Sequence, residues 1–166
     1  KINFFLDSLH DLAADIPHYP SKQQLHPLIN NVVNSLVPEM HQKNIQLVHE
    51  TEQDLSMQID LISFQRMLTN FLKNAIEAMP EGGELSVKLF SDLKNTKNKK
   101  TIEIRDTGIG IPEDKIEDLF LDYTSSKNSG LGLGMAIAKK IIEQHGGDVR
   151  VASKVGNGTV FTLNFP

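Results

Sequence analysis

The sequence predicts a two-layer α/β sandwich, with one mixed, mainly antiparallel sheet and helices on one face. Three observations carry that expectation. Helical and strand periodicities alternate along the chain. The strands toward the C-terminus come in neighbouring pairs around turn signals, as hairpins do. The 166 residues, 39% hydrophobic and 23% charged, suit one globular domain with a full core. There are no internal repeats.

Residues 1–16 place Ile2, Phe5, Leu9, Leu12, Ala13 and Ile16 at helical spacing, and Pro17 and Pro20 end that element. From Pro27 to Gln42, the positions Leu28, Ile29, Val32, Val33, Leu36 and Val37 repeat as one helix face, with Pro38 a potential break. Ile45–Val48 and Met57–Ile59 read as strands. Asp60 is an N-cap for a long helix to Met79, which Pro80-Glu81-Gly82-Gly83 closes. Glu84–Phe90 and Thr101–Arg105 alternate as half-buried strands joined by the polar, basic loop 92–100. A short helix is expected over 113–119 and a second one over 134–145. Gly146-Gly147 caps the latter, and His145 sits at its negative dipole end. Strands at Asp148–Ser153 and Thr159–Phe165 flank a Gly156-Asn157-Gly158 turn.

Composition excludes several functions. A net charge of −4 argues against a nucleic-acid binder. The absence of cysteine removes disulfides and thiolate metal sites, and fits a reducing compartment. No apolar run approaches the roughly 20 residues of a membrane span, and no signal peptide is expected within this sequence. The five histidines other than His10 lack ligand spacing. The five methionines read as core filler, and the lysines of the 92–100 loop as a solvated tip. The chain starts at Lys1, which reads as a fragment.

Three motifs in order carry the chemistry. Asn70, Lys73, Asn74 and Glu77 fall three and four residues apart on one helix face. They could be a solvated polar face. They could also offer a hard amide oxygen to Mg²⁺ and a cation to phosphate oxygens. Asp106 ends a strand and runs into Thr107-Gly108-Ile109-Gly110-Ile111-Pro112. That is either an ordinary turn or a carboxylate that can face an adenine amino group at close backbone approach. Gly130-Leu131-Gly132-Leu133-Gly134 opens into a helical pattern, and the N–H groups of such a helix start suit phosphates. The spacing is neither a dinucleotide fingerprint nor a Walker loop.

Taken together, the chain resembles the catalytic ATP-binding domain of bacterial sensor histidine kinases, within the ATPase group that includes gyrase, Hsp90 and MutL. Asn70–Ala75 with Glu77-Ala78 is similar to the N box and Asp106–Pro112 to the G1 box. Leu119-Phe120 through Tyr123 to Lys127 is similar to the F box and lid, Gly130–Gly134 to the G2 box, and Gly156–Thr159 to the last glycine box. The resemblance covers residues 21–166, and the short lid ending Ser125-Ser126-Lys127 is most similar to the nitrogen-regulator type.

The resemblance implies a Bergerat-type ATP-binding fold with ATP and Mg²⁺ as its ligands. It implies Asn74 as the Mg²⁺ ligand, Asn70 near the phosphates and Lys73 toward one of them. Asp106 would bind the adenine amino group, partly through water, with Gly108, Gly110 and Ile111 shaping the base pocket and Thr159 supporting the adenine end. Tyr123, Lys127 and the backbone of Gly130, Leu131, Gly132, Leu133 and Gly134 would close over the nucleotide. The lid from Ile116 to Gly130 is expected to order on binding. Hydrolytic members place a glutamate where Asn70 stands. An amide cannot act as general base for water, which favours phosphoryl transfer to a partner.

The F box departs from the family's pattern: Leu121 replaces an acidic residue, Asp122 the proline, and Thr124 the second aromatic. His10-Asp11-Leu12 resembles the start of a phosphoacceptor motif, but Pro17 falls too late and Asn70 comes too soon for a complete helical hairpin. His10 therefore reads as a helix-face histidine. Residues 1–20 read as the tail of a dimerisation helix, and 21–166 as the catalytic domain. The expected activity is transfer of the γ-phosphoryl of ATP to a histidine on a dimerisation domain outside this sequence, and thence to a response regulator. The full-length protein is expected to be a homodimer, with this domain cytoplasmic and a membrane anchor allowed elsewhere. The competing readings are an ATP-gated interaction module and an anti-sigma-type serine kinase.

Overall fold

The computed structural model describes residues 18–52, 55–92, 99–121 and 131–166. Among the described residues, seven strands and four helices follow in order. They are β1 Ser21–Gln24, α1 Leu25–Gln42, β2 Ile45–Thr51, β3 Ser56–Ile59, α2 Leu61–Glu77, β4 Gly83–Asp92 and β5 Lys99–Asp106. Then come α3 Glu113–Ile116 running into a 3₁₀ turn Glu117–Phe120, α4 Leu131–Gln144, β6 Asp148–Ser153 and β7 Thr159–Phe165.

The main sheet has strand order β2-β4-β5-β7-β6; β2 runs parallel to β4 and every other pair is antiparallel. This is the expected mixed, mainly antiparallel sheet. Its two faces are chemically distinct, as strand alternation requires. One register row across it reads Glu50, Lys88, Glu103, Thr162 and Arg150, a polar face. The opposite face carries Leu85, Val87, Leu89, Ile102, Ile104, Phe161, Leu163 and Phe165, all buried.

The helices cover that apolar face. Helix α2 starts where Asp60 accepts hydrogen bonds from the Ser63 N–H at 2.9 Å and the Ser63 hydroxyl at 2.6 Å, the expected N-cap. It buries Phe64, Met67, Leu68, Phe71, Leu72, Ala75 and Ile76. Phe71 meets Phe161 edge-on at 5.0 Å, and Phe64 lies 5.3 Å from Phe165, so α2 seats on β7 through aromatic contacts. Helix α4 adds Met135, Ile137, Ala138, Ile141 and Ile142 to the same core.

The structure departs from the sequence reading in four places. The polar strand β1, which lacks any alternation, pairs antiparallel with β3 as a separate two-stranded sheet. Helix α1 starts at Leu25, so Pro27 falls in its first turn, where its missing N–H is not needed, and Pro38 does not end it. The expected helix over 113–119 is one α turn followed by a 3₁₀ turn. Helix α4 begins at Leu131 rather than Gly134, so the last residues of the glycine motif belong to its first turn.

Candidate nucleotide-binding site

One cavity of about 250 Å³ sits between α2, the end of β5, the start of β7 and Met135 near the start of α4. Its walls are Asn74, Glu77 and Ala78 from α2 and its cap; Asp106, Ile109, Gly110, Ile111 and Pro112 from the strand end and loop; and Leu119, Met135, Thr159 and Phe161. Of the residues singled out from sequence, Asn74, Asp106, Gly110, Ile111 and Thr159 meet here.

Asp106 is 3% exposed, at the end of the apolar face of β5. Burial raises its carboxyl above the ordinary value of 3.8, while hydrogen bonds from the N–H groups of Gly108 and Thr159 pull it back. The Gly108 N–H reaches Asp106 Oδ1 at 2.9 Å. Two backbone N–H groups use part of this acceptor, and its place on the cavity wall leaves its remaining lone pairs to a ligand with an N–H to give.

The loop after Asp106 is pinned from both sides. The Ile109 N–H donates to the Ala78 carbonyl at 2.9 Å, and the Ile109 carbonyl accepts from the Gly156 N–H at 2.8 Å. The glycines here are steric requirements. A Cβ on Gly108 would stand 2.3 Å from the Ala78 oxygen, and one on Gly110 would stand 2.2 Å from the Lys154 oxygen. Gly110 also has φ +71°, in the left-handed region.

Asn70 does not line the cavity. Its amide donates to the Gly134 carbonyl at 2.9 Å and so ties α2 to the first turn of α4. Lys73 is exposed and stands outside the cavity wall. Leu131, Gly132 and Leu133 lie in the backbone of the first turn of α4. Tyr123, Lys127, Gly130 and most of the lid lie outside the described residues, as do residues 1–17 with His10. Of the F box, Phe120 is described: its ring packs on the core and lies 5.7 Å from the Lys139 ammonium.

Sequence reasoning missed Ser153 and underrated Met135. Met135 was read as core filler; it is fully buried, yet it is also a cavity wall. Ser153 bonds the Ile111 N–H, the Gly158 carbonyl and the Thr159 hydroxyl. Its only sequence signal was its place at a strand end facing Thr159 across a glycine turn.

The residues present fit an adenine nucleotide. The cavity can take a base, with walls of Ala78, Ile111, Met135 and Phe161 and the Asp106 carboxylate as an acceptor in its lining. Among the described residues no group of three His, Cys, Asp or Glu could hold a metal ion. A cation here would need ligand phosphates besides the Asn74 amide, which is the habit of Mg²⁺. No described helix is long and apolar enough to cross a membrane.

Comparison with known proteins agrees. Residues 59–166 match the family described as histidine kinase-, DNA gyrase B-, and HSP90-like ATPase. Sensor histidine kinase ZraS of Escherichia coli K12 is 34% identical over 167 residues, which cover 100% of this chain but 35% of that protein. The nucleotide-free catalytic domain of histidine kinase ThkA superposes with a TM-score of 0.79 at 29% identity, over 89% of this chain and 95% of that one. ThkA in complex with the response regulator protein TrrA gives a TM-score of 0.82 at 26% identity, over 99% of this chain and 47% of that one. The chain thus spans about a third of the length of the ZraS relative. On the match over residues 59–166, the chain belongs to the histidine kinase-, DNA gyrase B- and HSP90-like ATPases.

Proposed function

We propose that this chain is the ATP-binding catalytic domain of a two-component sensor histidine kinase. It presents the γ-phosphoryl of Mg–ATP to a histidine on a dimerisation domain of the same protein, which then serves a response regulator. Residues 21–166 are the catalytic domain, and residues 1–20 the end of the dimerisation helix. The full-length protein works as a homodimer with this domain in the cytoplasm.

The observation that carries the reading is the convergence of Asn74, Asp106, Gly110, Met135 and Thr159, drawn from separate segments, on one cavity. Asp106 and Thr159 hold the adenine edge. Asn74 supplies the protein ligand to Mg²⁺, which offsets phosphate charge when bound. Lys73, exposed one position before Asn74, reaches toward a phosphate, and Lys127 closes from the lid. Asn70 offers no carboxylate to activate water. The chemistry left to the protein is positioning and charge stabilisation. The solved complex of ThkA with its response regulator supports the regulator as the downstream partner.

The test is phosphorylation in trans. With Mg–ATP and a separately supplied histidine-bearing dimerisation domain, acid-labile phosphate should appear on that domain and none on this chain alone. Asn74→Ala should lower the transfer rate at least about a hundredfold and flatten its Mg²⁺ dependence. Acid-stable phosphoserine would instead support the serine-kinase reading. ATP binding without any transfer would support an ATP-gated interaction module.

A further inference from the structure

Among the described residues, the backbone of 112–121 hydrogen-bonds only within its own segment. The Lys115 N–H donates to the Pro112 carbonyl at 2.9 Å and the Leu121 N–H to the Asp118 carbonyl at 3.0 Å, beside the turns of α3 and the 3₁₀ helix themselves. Side chains therefore seat this segment on the domain. Two consecutive ones do so in different places. Leu119 lines the nucleotide cavity, and Phe120 packs against the core. Successive residues of a 3₁₀ turn point about 120° apart, so holding the Phe120 ring also sets the direction of Leu119.

Helix α4 meets the turn from one face. Met135 lines the cavity together with Leu119, and Lys139 stands one helical turn further along the same face. The Lys139 ammonium lies 5.7 Å from the centre of the Phe120 ring, within reach of cation–π attraction. Its other partner is Glu143, an i,i+4 carboxylate at 3.9 Å. Both side chains of that ion pair are about half exposed or more, and such pairs contribute little in water. Lys139 itself is not part of the cavity lining. Its route to a bound ligand runs through Phe120 and the turn that carries Leu119.

We propose that Lys139 is a positioning residue for nucleotide binding. It holds the Phe120 ring against α4, which keeps the 3₁₀ turn in place and Leu119 in the cavity wall. The inference rests on the reading of the cavity as a nucleotide site. It assigns the Lys139 charge to the seating of an apolar wall, not to attraction of phosphate.

Two ligands separate those roles: Mg–ATP, titrated by calorimetry into the 166-residue chain, and uncharged adenosine, titrated by NMR. Lys139→Gln removes the charge and should lower both affinities about threefold, the size of an exposed cation–π contact. A loss confined to ATP means that Lys139 only attracts phosphate, and overturns the proposal. Lys139→Arg should keep both affinities. Glu143→Gln should leave adenosine binding unchanged; if it reproduces the loss, the ion pair along α4 is what matters and the proposal fails. Phe120→Leu should weaken adenosine binding by itself, and Lys139→Gln should add nothing on top of it. An undiminished Lys139→Gln effect in that background overturns the proposal. Should Phe120→Leu fail to fold, Phe120→Met, which also lacks a ring, takes its place with the same expectation. Normal ATP and adenosine binding in Lys139→Gln overturns this inference alone. An unmodified chain that binds neither ligand overturns the nucleotide-site reading, and this inference with it.

Discussion

Asp106 illustrates how a site residue can oppose the fold that holds it. Its burial disfavours the charge, and the N–H groups of Gly108 and Thr159 recover only part of that cost. Asp106→Asn should therefore separate binding from stability. The neutral amide is easier to bury and can still accept from one of those N–H groups, so the melting temperature should hold or rise. ATP affinity should fall tenfold or more, because a donor now meets the adenine amino group. Calorimetry and thermal melting on the same variant check both halves, and a parallel loss of both would count against the assignment. At this scale Asp106, Asn74 and Gly110 were legible because each belongs to a motif whose chemistry needs that residue type. Ser153 was not, because hydroxyl partners depend on a register no local pattern encodes. His145 was read from its helix position, but burial dominates: it is 7% exposed, and its Nε2 accepts the Asp60 N–H at 3.0 Å.

Helices α2 and α4 meet at a polar contact as well as in the core. Asn70→Leu keeps the volume of that side chain but removes the donor that holds the Gly134 carbonyl at 2.9 Å. The first turn of α4, from Leu131, should exchange its amide hydrogens faster, while strands β4, β5 and β7 stay protected. Hydrogen exchange read by mass spectrometry resolves the two regions, and equal change in both would show that the contact is not local. Long elements were readable from periodicity: α1, α2 and the four C-terminal strands of the sheet each declare a buried face. β1 could not be read this way. Its Ser-Lys-Gln-Gln sequence is a strand because β3 and the Leu25-to-Leu55 backbone bond of 2.9 Å recruit it. The start of α4 was misplaced because glycines there look like loop, yet the leucines between them continue the helical period.

Across the whole molecule, Asp60 and His145 make stability depend on pH in one direction. Hydrogen bonds from the Ser63 hydroxyl and N–H pull Asp60 down from 3.8 to about 2. Burial lowers His145 below 6.5, against the opposing effect of the Ile141 carbonyl that its Nδ1–H meets at 2.7 Å. Both groups bind protons less readily folded than unfolded, so their contribution to stability is full above pH 6.5 and falls as pH drops, while the raised Asp106 works the other way. The first loss begins below 6.5 with His145 and with His49, which burial also lowers, and the second runs from about 4 to about 2 with Asp60. Urea midpoints measured from pH 8 to pH 3 should show it, and His145→Gln should shrink the upper phase, leaving the share of His49. The sandwich and its single apolar face were evident from alternation, whereas the pairing of β1 with β3 required the fold. The cavity draws its walls from positions as far apart as Asn74 and Phe161, on strands and helices that do not neighbour one another in the chain. No contiguous stretch can therefore house a nucleotide by itself, and occupancy reports on the assembled domain as one cooperative unit rather than on any local patch of order.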